Sequence, residues 1–239
     1  MTTFRLREVA SVVGGSLESK QAPAAHADLV DRLVAQISPA VLGGDLALIA
    51  YAVPDDCPHK TVATYLNLVT GGLAHSVAIT GQGVGSPFTA LRVARSYGRT
   101  GRSSKSVLAI VESAAPLSSD RSAPVEYDSG VLLVFDAGIG SKGVDGVHSL
   151  EQPGDLAALL AGLIPGDGSL LLVLGPTAEP GVLPEDVTDV HRVAAGSHCT
   201  SVWLALAQNY AQWAAAYSVI ALSDTDPLTG VGHLAVLRD

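Results

Sequence analysis

Apolar positions along the chain switch repeatedly between two periods. In "AAHADLVDRLVAQI" the residues Leu29, Leu33, Val34 and Ile37 recur at three- and four-residue steps and share one helical face. "LALIAYAV", from Leu46 to Val53, is an unbroken apolar run, as expected of a strand covered on both faces. "KTVATYLNLVTG" reads as a helix closed by Gly71, and "HSVAITG" as the next strand. A helix from Pro87 to about Tyr97 follows, then the strands "KSVLAIVE" and "DSGVLLVFDAG". The alternation predicts an α/β protein with a mixed sheet.

The second part of the chain repeats this plan in shorter form. "GVDGVHSLE" reads as a strand, "DLAALLAGLI" as a helix and "SLLLVLG" as a buried strand, with "GPTAEPGVLPED" a Pro/Gly loop. "TSVWLALAQNYAQWAAA" is a long helix on which Trp203, Leu206, Tyr210 and Trp213 recur at helical steps. "YSVIALSD" and "GVGHLAVLRD" close the chain as a hairpin across "TDPLT". Between the two parts, "DAGIGSKGVDG" is Gly-rich without an apolar period, and it divides residues 1–143 from 144–239. The shared strand–helix–strand plan hints at a duplicated architecture.

Composition narrows the function classes. With 48% hydrophobic and 15% charged residues the chain is globular rather than disordered. A net charge of −9 leaves no basic footprint for nucleic acid; the densest cationic stretch, "RVARSYGRTGRSSK", suits a solvated helix end. No apolar run approaches the ~18 residues of a membrane span, and the N-terminal stretch does not resemble a signal peptide, so a cytoplasmic protein is expected. The two cysteines, Cys57 and Cys199, are far apart and neither has a neighbour at metal-ligand spacing. Cys57 with His59 in "PDDCPHK" makes two ligands without partners, so no metal is expected; Asp55 and Asp56 read as loop or helix-capping acids.

One turn invites chemistry. "AITGQGVGSPFTALRVA" runs a strand into three alternating glycines and then into a helix opened by Ser-Pro. "GQGVGS" lacks the lysine of a phosphate-binding loop and the G-x-G-x-x-G spacing of a dinucleotide fingerprint, which argues against a nucleotide.

Together with "AYAVPDDCPHK" before it and "LAIVESA" after it, this turn is similar to the N-terminal half of the thiolase superfamily, ketoacyl synthase III in particular. That family carries its catalytic cysteine in such a turn, at the start of a buried helix. "LLLVLGPTAEP" lies where the family has a strand ending in its catalytic histidine, and "AAGSHCTSVWLALA" resembles the turn and helix that carry its asparagine. The likeness covers residues 25 to 239, by motif in the first half and by order of elements in the second. It implies an α/β, thiolase-like fold of two related mixed-sheet halves with buried helices, the C-terminal half shortened. It also implies a dimer joined through the strand His75–Thr80, with His75, Val77 and Ile79 at the interface.

Carried over position by position, the resemblance places Val84 where the cysteine belongs (Gly83 or Gly85 with a one-residue slip), Gly175 at the histidine, and Ser197, or Gly196 counted from the helix side, at the asparagine. A condensing enzyme needs the thiolate to carry the acyl chain and the polar pair to stabilise the charged intermediates. The expected function is therefore a non-catalytic ketoacyl synthase-like subunit, partnering an active condensing enzyme in fatty acid or polyketide-type biosynthesis as a heterodimer or heterotetramer, or pairing with itself as a homodimer. The alternative is an acyltransferase or hydrolase acting on acyl thioesters through Ser86 and His198. Ser86 also reads as a plain N-cap before Pro87, and Cys199 as a small buried apolar residue. No resident cofactor is expected; the resemblance admits an acyl-coenzyme A or acyl carrier protein thioester as a ligand.

Overall fold

The computed structural model describes residues 4–16, 23–55, 61–115, 124–152, 154–164, 169–187 and 189–239. Its first half runs β1 (Phe4–Ser16), α1 (His26–Val34), β2 (Leu46–Ala50), α2 (Val62–Val69), β3 (His75–Ile79), α3 (Gly85–Arg99), β4 (Lys105–Glu112) and β5 (Tyr127–Ala137). The second runs β6 (Lys142–Leu150), α4 (Asp155–Ala161), β7 (Leu170–Leu174), β8 (Asp189–Arg192), α5 (Ser201–Ala216), β9 (Val219–Thr225) and β10 (Gly232–Arg238).

The strands form one ten-stranded sheet ordered β3-β2-β4-β5-β1-β6-β10-β9-β7-β8. Its centre is thin: β1 meets β6 only at Arg5↔Gly143 and Leu6↔Lys142. On either side of that seam the connectivity is the same. β2 is parallel to β3 and β4, and β5 is antiparallel to β4 and β1. In the second half β7 is parallel to β8 and β9, and β10 is antiparallel to β9 and β6. The duplicated plan expected from the sequence is thus present strand for strand. One difference separates the halves: among the described residues, no helix stands between β7 and β8 where the first half has α2.

Continuous apolar runs in β2, β4, β7 and β9 follow from burial on both faces. Leu46, Leu48, Leu108 and Ile110 face a central cluster with α3 and α5, while Ala47, Ile49, Val107 and Ala109 face α1 and α2. In the second half Leu171, Val173, Ile220 and Leu222 face the same centre, and Leu172, Leu174, Val219 and Ala221 pack on the α4 side. Helices α3 and α5 each touch strands of both halves and are therefore enclosed between them. They meet where Phe88 and Trp203 pack edge to face, ring centroids 5.0 Å apart.

Several expectations are corrected here. Strand β1 lies in a stretch to which the sequence pattern assigned no element. Its alternation is broken by a register shift between Leu6 and Glu8, and Arg7 is spent on an ion pair with Asp136 at 2.9 Å. β8 likewise lies in a stretch to which the sequence pattern assigned no element; all of its residues are exposed, so no apolar period marks it. The boundary drawn after residue 143 falls inside β6, whose first residue is Lys142. Among the described residues no helix is long and apolar enough to cross a membrane.

Candidate functional site

The glycine turn works by backbone conformation. Gly81 and Gly83 have φ of 75° and 50°, a region costly for any residue with a Cβ. They turn the chain from β3 into α3 with Gly85 N–H on Gln82 O at 2.8 Å. Helix α3 accordingly begins at Gly85 with Val84 as its N-cap residue, two positions before the expected start at Pro87. Ser86 is therefore not the cap. It is fully buried in the first turn, and its Oγ accepts the Gln82 N–H at 3.3 Å.

Capping comes instead from far along the chain. Asp226 Oδ2, just beyond β9, accepts the Val84 N–H at 3.2 Å. The N-terminal turn of α5 is served reciprocally by Glu112 at the end of β4, which accepts the N–H groups of His198 and Cys199 at 2.8 and 3.1 Å. The Thr200 hydroxyl donates to the same carboxylate at 3.0 Å. Each half thus sends a strand-end carboxylate to the enclosed helix of the other, where the helix dipole favours negative charge. Asp55 acts in the same way within the first half, accepting the His26 N–H at 2.6 Å as α1 begins.

Around these helix starts lie the positions singled out by the resemblance. Val84 is buried at the N-cap of α3. Gly175 follows β7 and gives its N–H to Ser223 O at 2.8 Å. A Cβ at Gly175 would stand 2.0–2.2 Å from the Asp224 carboxylate, so the space for a larger residue is already taken. Asp224 is held by Ser201 Oγ at 2.6 Å, the Thr225 N–H at 2.9 Å and Thr177 Oγ1 at 3.1 Å, and burial pushes its carboxyl above the usual range. Ser197 and His198 precede α5, both buried, and neither Ser197 Oγ nor His198 Nε2 has a hydrogen-bond partner among the described residues. His198 Nε2 points toward Gly83, 3.6 Å from where a Cβ would lie. No hydrogen bond joins it to Ser86.

Two further groups complete the picture. The Cys199 thiol is buried beside Glu112, and burial above all drives its pKa well up, which favours the neutral thiol. His233 on β10 fills the space beside Gly85 and stacks on Phe88 at 5.3 Å; burial, then the nearby Arg92, hold its imidazole below the usual range. Among the described residues no cluster of His, Cys, Asp or Glu could hold a metal ion. Cys57, His59 and Asp56 lie outside the described residues.

Among the described residues β3 forms one edge of the sheet, paired only with β2. His75 is exposed, and Val77 and Ile79 are half-buried against the central cluster. Sequence reasoning missed Asp224 and Asp226. Their one local signal is "SDTDPLT", where an acid before Pro opens a turn, and nothing in it points to a helix 142 residues away.

No protein-family model and no curated protein matches the sequence. Solved structures do. A tetronic acid condensing enzyme, AbyA1, is similar over 99% of this chain and 100% of its own, with a TM-score of 0.69 and 15% identity. The 3-oxoacyl-acyl carrier protein synthase III of Thermus thermophilus gives 0.66 at 14% identity, covering 98% of this chain and 99% of the other. OleA of Xanthomonas campestris gives 0.65 at 10% identity over 99% and 97%. The fold is thiolase-like, as the sequence resemblance implied, and it extends over the whole described chain.

Proposed function

We propose that this protein is a non-condensing, ketoacyl synthase-like subunit that works beside an active condensing enzyme in fatty acid or polyketide-type biosynthesis. The observation that carries the reading is the start of α3, where the N-cap residue is Val84, without a nucleophile, and its N–H is taken by Asp226. Gly175 supports it, because the neighbouring Asp224 carboxylate fills the space a catalytic imidazole would need. Ser86 offers no substitute nucleophile, being fully buried and engaged with Gln82. What such a subunit retains is the enclosed-helix scaffold and an open sheet edge at β3, through which His75, Val77 and Ile79 would meet a partner or a second copy. In this reading an acyl thioester is handled by the pair rather than by this chain alone.

Affinity purification from the native host, followed by mass spectrometry, tests the reading. Co-elution of a ketoacyl synthase with an intact cysteine is the expected result. Stoichiometric condensation by the isolated chain would overturn it.

A further inference from the structure

The N-terminus of α3 holds an occupant supplied by the chain itself. Asp226 Oδ2 accepts the Val84 N–H and stands 1.8 Å from the point where a Gly83 Cβ would be, an approach only glycine permits. The other oxygen, Oδ1, accepts the N–H groups of Leu228 and Thr229 at 3.0 Å and the Thr229 hydroxyl at 3.2 Å, which fixes the carboxylate on the β9–β10 turn. His198 Nε2 also comes within 3.6 Å of the same Cβ point, in a side chain only 7% exposed, and has no hydrogen-bond partner among the described residues. A 15-residue helix start, a cradle without a side chain and an unspent imidazole nitrogen suit one chemical group, a carboxylate.

We propose that this centre is a carboxylate receptor whose resident ligand is Asp226, and that it excludes other anionic groups, whether a thiolate, a thioester oxyanion or an acyl carboxylate, while that side chain is in place. The proposal rests on the non-condensing reading and deepens it. A fixed negative charge at the Val84 N–H opposes the second negative charge that a condensing step must place there.

The test uses the full chain carrying Asp226→Ala, melted in sodium formate or acetate against sodium chloride of equal ionic strength. The variant is expected to melt below wild type and to recover part of the loss in formate or acetate but not in chloride, as a ligand bound only by the native state requires. Wild type, its receptor filled, gains nothing selective. A folded variant that responds equally to formate and chloride overturns the proposal. Because Asp226 also holds its own turn, a second measurement compares iodoacetamide alkylation of Val84→Cys with that of Val84→Cys/Asp226→Asn, which keeps one oxygen for the turn. Removing the charge should speed alkylation about tenfold near neutral pH, equivalent to roughly one unit in the thiol pKa. Equal rates overturn the proposal as well. Condensation by wild type would sink the non-condensing reading while leaving both of these readouts intact, so the two failures are distinguishable.

Discussion

The carboxylate of Glu112 accepts the backbone N–H of His198 at 2.8 Å, joining the end of β4 to the start of α5 across 86 residues of sequence. Asp226 and Val84 make the converse link from the second half to the first. These two contacts hold the enclosed helices at fixed depth between the sheet halves. Glu112→Ala leaves two buried N–H groups short of an acceptor, each at about 1–3 kcal/mol, while the Thr200 hydroxyl keeps Ser129 Oγ at 2.7 Å. Urea denaturation should show a loss of several kcal/mol by that count, with Glu112→Gln losing clearly less.

Intact-mass analysis after incubation with acyl-coenzyme A and acyl carrier protein thioesters should find no acyl adduct on the isolated chain. An adduct that vanishes in Ser86→Ala would restore the acyltransferase alternative. One that vanishes only in Cys199→Ala would reveal a nucleophile that burial is expected to silence.

Gly175→Ala places a Cβ into the Asp224 carboxylate, so either the strand end or the Ser201–Asp224 hydrogen bond must give. A destabilisation of about 1–3 kcal/mol is expected from the overpacking alone. For the same reason Gly175→His with Val84→Cys should not yield a condensing enzyme. Ketoacyl formation by that double variant would show that Asp224 moves aside freely.

Asp224 also sets a pH dependence. Burial raises its folded-state pKa above the ordinary value of 3.8, so the folded state holds this proton more tightly than the unfolded chain does. Its contribution to stability is complete below 3.8 and is lost as pH rises through the raised value. Compared with Asp224→Asn, wild type should therefore gain stability as pH falls across that window. Parallel pH–stability curves for the two proteins would contradict this.

At the edge of the sheet, β3 contains neither Pro nor Lys, and among the described residues its outer backbone row pairs with no further strand. Ala78→Pro removes a ladder donor and Ile79→Asp brings a charge to a half-buried position. Light scattering should show a dimer converted to monomer or aggregate by either change. A wild-type monomer at high concentration would rule out association through this edge.

Much of the molecule was legible in its sequence because local physics writes periodicity. Strands covered on both faces must be apolar throughout, which made β2, β4, β7 and β9 readable, and the recurrence of Trp203, Leu206, Tyr210 and Trp213 marked α5. The residue types at the carried-over positions are likewise a matter of sequence alone. Val84, Gly175 and Ser197 cannot supply a thiolate, an imidazole and an amide wherever they lie. What the tertiary structure alone decided involves partners with no local mark. β1 was hidden because its polar residues and register shift break the alternation, and β8 because backbone pairing with β7 needs no apolar side chain. The capping of α3 by Asp226 was hidden for a deeper reason: an acid in a turn has the same sequence signature whether it faces water or a helix 142 residues away. Only the folding of the two half-sheets around α3 and α5 brings that carboxylate to the Val84 N–H, where it occupies the helix start.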